Sequence, residues 1–160
     1  MKLPRVEVRE AAITYKRTRR PRATGDTTEK FDASTKVAEW ARAVVPDAPQ
    51  EHVVVLALDG KNHAIAWTTL AKGTSNFCAF TPADVFRFVL LAGAVGFVLV
   101  HNHPSGDTSP SSADLSVTRR IQSGAEIVGL VMLDHVIISH GARASHYSFL
   151  DAGLLAPRAA

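Results

Sequence analysis

The apolar run Val95-Gly96-Phe97-Val98-Leu99-Val100 stops at His101-Asn102-His103-Pro104, and a helix start follows within ten residues. This order of strand, short loop and helix constrains the fold more than any other feature. A short apolar run bounded by a turn residue such as Pro104 reads as a buried strand. Alternate residues of a strand share a face, so His101 and His103 point the same way. Pro110-Ser111-Ser112-Ala113-Asp114 has the composition of a helix N-terminus, with Ser109 or Ser111 as cap and Asp114 favoured by the helix dipole. The helix thus returns a carboxylate toward the strand end that carries two imidazoles.

Neutral imidazole and carboxylate are the ligands that Zn²⁺ accepts in open, hydrolytic sites, where three protein ligands leave a fourth position for water. His101, His103 and Asp114 are the candidate ligands. His-x-His alone is a weak signal; the pattern of five positions that adds Pro104, Ser111 and Asp114 is a stronger one. A plainer reading also fits these residues, with Asp114 as a capping carboxylate and the histidines in a loop.

Alternating helical and strand patterns along the chain predict an α/β layer architecture with one main sheet flanked by helices. Residues 6–15 show partial alternation and read as an extra strand. Asp32 or Ser34 is expected to cap a helix through Val37, Ala38, Trp40, Ala41 and Val44, ending before Pro46. Strands over 52–58 and 63–70 flank the turn Asp59-Gly60-Lys61-Asn62, a hairpin pattern. Thr81-Pro82 opens a helix with apolar Val85, Phe86, Val89, Leu90 and Ala92, closed by Gly93. The helix from Pro110 is expected to end near Ser123, before strands over 127–133 and 135–139. His52, His63, His140 and His146 lack ligand spacing and read as structural or exposed. Cys78 reads as a small buried hydrophobe.

His101-Asn102-His103-Pro104-Ser105-Gly106-Asp107, with Pro110-Ser111 and Asp114 behind it, resembles the RadC-like branch of the JAB/MPN (JAMM) metallopeptidase family. The resemblance extends upstream to Glu51, the strand Val53-Val54-Val55-Leu56-Ala57-Leu58-Asp59, Asn62, Gly73 and Pro82. Downstream it takes in Leu133-Asp134-His135-Val136-Ile137-Ile138, Tyr147-Ser148-Phe149 and Gly153-Leu154-Leu155, so that it covers about residues 33–155. It implies a JAB/MPN-type, cytidine-deaminase-like domain with a mixed central sheet, and one zinc held by His101, His103 and Asp114. It also implies that Glu51 is the general base for water and that Ser111 donates a hydrogen bond to the developing oxyanion. By the residues alone, Glu51 is an ordinary glutamate before a strand and Ser111 a helix cap. Asp134-His135 matches a family signature outside the metal motif; a strand-start role is the expectation, with support of a ligand histidine as the other reading. The chain departs from the family in lacking room for a helix-hairpin-helix module and in carrying Ala83 where an arginine is usual.

The implied activity is zinc-dependent hydrolysis of a peptide or isopeptide bond; the alternative is a nucleic-acid-associated accessory protein with a zinc site. Charge bears on that choice. Residues 1–22 hold eight Lys or Arg against two Glu, whereas the remainder is net acidic. Lys16, Arg17, Arg19, Arg20 and Arg22 can contact phosphates weakly and in a salt-dependent way, or form a solvated connector. The expected organisation is a basic arm over 1–30, a catalytic domain over 31–156 and a tail over 157–160. One cysteine, no apolar leader and no apolar run long enough for a bilayer point to the cytoplasm and away from membranes.

Overall fold

Strand alternation sends apolar side chains to both faces of one sheet, and helices cover each face. The computed structural model describes residues 30–73, 80–141 and 144–155. The expected N-terminal strand, the basic segment, Cys78 and the C-terminal tail lie outside the described residues. The described elements run α1 (Ser34–Val44), β1 (His52–Leu58), β2 (Ala64–Lys72), α2 (Pro82–Leu91), β3 (Gly96–Asn102), α3 (Ser112–Ile127), β4 (Val131–Ile138) and β5 (His146–Ser148). The strand order is β2-β1-β3-β4-β5, with β3 and β4 parallel and every other pair antiparallel. This is the expected mixed α/β sheet flanked by helices.

On one face Val54, Leu56, Leu58, Val98, Val100, Val136 and Ile138 pack against Val37, Ala38, Ala41 and Val45 of the α1 region. On the other, Val53, Val55, Phe97, Leu99 and Ile137 pack against Val85 and Val89 of α2 and Ile121 and Ala125 of α3. Burying a side chain of this size contributes about 1.5–3 kcal/mol. Two such clusters give the domain a core that does not depend on a bound ion.

The β3–α3–β4 crossover joins parallel neighbours, as a helical connection allows. One irregularity in β4 decides which way His135 faces. Met132 packs on the α2/α3 face and Leu133 on the α1 face, yet Val136 is on the α1 face and Ile137 on the α2/α3 face. Strict alternation forbids that assignment; a register shift opposite Phe97 and Val98 adds one residue and resets the parity. His135 is thereby turned to the α2/α3 face.

Several expectations are corrected. The N-cap of α1 is Ala33, with no side-chain cap; Asp32 instead accepts from Lys36 at 2.6 Å and the Ser34 hydroxyl donates to Asp151 at 2.6 Å. Helix α3 continues to Ile127, through Gly124, because the helix of Phe86 packs there: a Cβ at Gly124 would lie 2.6 Å from that ring. The two strands expected around residue 134 are the single strand β4, and β5 is an edge strand without a strong sequence signal. No described helix is long and apolar enough to cross a membrane.

Candidate metal centre

The carboxyl end of β3 and the N-terminus of α3 converge where open α/β sheets commonly bind ligands. His101 is the penultimate residue of β3 and is buried. His103 lies one residue beyond the strand, but its backbone N–H still donates to the Ile138 carbonyl at 2.9 Å. The extended path therefore continues, and both rings face the same side, 4.8 Å apart between centroids. Asp114 arrives from α3 as the third residue of its capping box. Ser111 N–H and Oγ donate to Asp114 Oδ2 at 2.8 and 2.5 Å, while Asp114 N–H donates to Ser111 Oγ at 3.2 Å. Capping and metal binding are compatible here: Oδ2 serves the cap, and Oδ1 lies 3.3 Å from His101 Nε2.

The donor set fits a metal ion. His103 Nδ1 lies 2.6 Å from the Asp107 carbonyl, which can only accept, so the neutral ring carries its proton there and leaves Nε2 bare. That Nε2 lies 3.0 Å from His101 Nε2 and 3.7 Å from Asp114 Oδ2. The ligand atoms of His101, His103 and Asp114 all fall within 4.8 Å of one another. Three groups of metal-ligating type thus share one small volume. Tetrahedral zinc, with bonds of about 2.0–2.1 Å, separates neighbouring ligand atoms by roughly 3.3 Å, close to two of these spacings.

The electrostatics agree. Burial by itself would raise the Asp114 carboxyl, but His103, His101 and Ser111 hold it well below the usual range. The adjacent Asp114 carboxylate raises His103 against the opposing effect of burial. Burial lowers His101 to about 4 despite Asp114 beside it. At neutral pH the first imidazole is therefore uncharged, the form that binds metal.

The antiparallel register pairs Val53 with His101 and so carries Glu51 alongside His103. Glu51 lies just before β1 and lines the same cavity of about 860 Å³, with Phe80, Ser111, Val117 and Arg120 among its other walls. Burial, reinforced by Asp114, raises its carboxyl, with His103 opposing. All five candidate site residues, Glu51, His101, His103, Ser111 and Asp114, border this one cavity.

Three further residues, for which the sequence suggested no firm place in the site, support it. Asn102 points to the opposite face from His101 and bonds the backbone flanking Glu51. His135 is not at a strand start; it sits inside β4, bonded to His101 at 2.8 Å and stacked on Phe149 at 4.6 Å. Thr118, one helical turn after Asp114, bonds His135 at 2.6 Å. The i, i+4 spacing of Asp114 and Thr118 was a usable signal; the position of His135 depends on the β4 irregularity and was not.

Residues 31–154 match the family model described as RadC-like JAB domain. A protein of Thermotoga maritima named UPF0758 protein is 42% identical over 127 residues, covering 79% of this chain and 55% of the relative. A UPF0758 protein of Chlorobium luteolum is 36% identical over 132 residues, covering 82% of this chain and 58% of its own length. The chain thus spans little more than half the length of these curated relatives. With the family model covering most of its length, the chain belongs to the RadC-like JAB domain family.

Proposed function

We propose that the protein is a zinc-dependent metallohydrolase that cleaves a peptide or isopeptide bond. The observation that carries this reading is the convergence of His101, His103 and Asp114 beside a carboxyl, Glu51, whose proton affinity is raised by burial. A bound zinc ion supplies Lewis acidity and makes water a nucleophile near neutral pH. Glu51 takes a proton from the attacking water and passes it to the leaving nitrogen as the carbon–nitrogen bond breaks. A structural metal site has no need of such a base. Ser111 lines the cavity and, on turning its hydroxyl from Asp114, donates to the carbonyl oxygen as negative charge develops there. The test is a screen of zinc-loaded protein against peptide and isopeptide libraries. Cleavage that stops on chelation and returns with zinc supports the reading; no metal-dependent cleavage of either bond class contradicts it.

The eight basic residues among the first 22 favour a second role, weak and non-specific contact with nucleic acid. Deleting residues 1–22 should abolish that binding and leave zinc content unchanged. Tight binding that survives the deletion and high salt would instead favour a nucleic-acid-associated protein over a hydrolase.

A further inference from the structure

Thr118 and His135 lie behind the candidate metal centre in an unbroken chain of hydrogen bonds. Thr118 Oγ1 donates to the Asp114 backbone carbonyl at 2.6 Å and lies 2.6 Å from His135 Nδ1. His135 Nε2 in turn lies 2.8 Å from His101 Nδ1. Thr118, His135 and His101 are all buried. We infer that Thr118 and His135 form a directional relay that fixes the tautomer of His101 and leaves its Nε2 bare toward the metal position. The relay rests on the proposed metal site and adds two positioning residues to it.

The direction of the relay follows from counting protons. A backbone carbonyl has no hydrogen to give, so the single hydroxyl proton of Thr118 goes to Asp114. The hydroxyl oxygen then offers His135 only lone pairs, and the proton of the neutral His135 ring belongs on Nδ1. His135 Nε2 is left as an acceptor, so the proton shared with the next ring belongs on His101 Nδ1. His101 Nε2 carries none. The relay starts on the backbone of one candidate ligand and ends on the ring of another, joining α3 to β3 through β4. Phe149 stacks on His135 with an interplanar angle of 18°, which holds the ring plane in this alignment.

Removing the hydroxyl should propagate to the far end. In Thr118→Val the buried His135 Nδ1–H has no acceptor, an arrangement that a neutral imidazole escapes by moving its proton to Nε2. That proton then faces His101 Nδ1, and His101 must carry its own on Nε2, the atom required for metal. Outer partners of ligand histidines typically affect metal affinity by about 10–100-fold.

The experiment measures zinc affinity by chelator competition in the wild type, T118V and T118S, and reads ring tautomers in metal-free protein by long-range ¹H–¹⁵N correlation. The expected result is Nδ1–H on His101 and His135 in the wild type. T118V should bind zinc about 10–100-fold more weakly, with both rings switched to Nε2–H, and T118S should restore affinity and tautomers. Wild-type zinc affinity in T118V, or an Nε2–H tautomer of His101 in the wild type, overturns the relay while leaving the metal site standing. A wild-type protein that binds no zinc overturns the site and the relay together. Should T118V not fold, the wild-type tautomers decide.

Discussion

Asn102 holds the backbone on both sides of Glu51. Its Oδ1 accepts from His52 N–H at 2.8 Å and its Nδ2 donates to the Gln50 carbonyl at 3.1 Å. The Glu51 carbonyl is itself held by Gly73 N–H at 2.9 Å. The residue between the two candidate ligand histidines therefore fixes the start of the neighbouring strand. One short segment sets the spacing between the candidate metal ligands and Glu51.

Asn102→Ala removes both of these bonds: the buried His52 N–H loses its partner, while the Gln50 carbonyl keeps the His52 ring Nδ1 at 3.1 Å. Leaving a buried polar group unpaired costs about 1–3 kcal/mol, and loss of a positioned base costs rate. The variant should melt lower, turn over more slowly and retain its zinc, because Asn102 touches no ligand atom. Thermal melts, turnover and elemental analysis check this; unchanged turnover would show that Glu51 does not need the clamp.

About one zinc per chain is expected in protein purified without chelator, and His101→Ala, His103→Ala or Asp114→Ala should each remove most of it. Chelation should lower the melting temperature without ending cooperative unfolding, because both hydrophobic clusters are independent of the ion. Elemental analysis and scanning calorimetry read these outcomes. Full zinc retention in all three variants would rule out this ligand set.

The metal-free fold should weaken on acidification below about pH 6.5. His101 is protonated in the fold only near pH 4, because burial penalises its charge, and His135 is lowered for the same reason. The unfolded chain takes these protons near pH 6.5, so between the two values it binds more protons and acid favours unfolding. His103, Glu51 and Asp134 act in the opposite sense: their raised values add stability at low pH that is lost as pH rises through them. The two fully buried rings are shifted furthest and give a net loss toward acid. Denaturant titrations of metal-free protein from pH 7.5 to 4.5 check the slope; stability that is constant or rises toward acid contradicts it.

Much of this site is legible in the sequence, and the reasons are local. His101 and His103 share a face because a strand alternates, and Asp114 returns to them because its helix start follows a short loop. The hairpin around Asp59 and the Thr81-Pro82 helix start are local in the same way. What the sequence hides depends on contacts between distant elements. Gly124 looks like a helix end until Phe86 explains it. His135 reaches His101 only because β4 gains a residue opposite Phe97 and Val98. The proposed role of Glu51 comes from family resemblance, and the antiparallel register of β1 on β3 supplies the physical reason for its proximity.

The proposed mechanism needs a metal held by three ligands and a separate carboxylate that moves protons. Glu51→Gln separates the two, since it preserves size and hydrogen-bonding shape but cannot take a proton from water. General acid–base catalysis contributes about 10²–10⁴ in rate. Turnover of a cleavable substrate by E51Q, measured alongside its zinc content, is therefore the most direct test. The mechanism predicts a fall of at least about 10²-fold with zinc and melting temperature unchanged; wild-type turnover, or loss of the zinc, contradicts it.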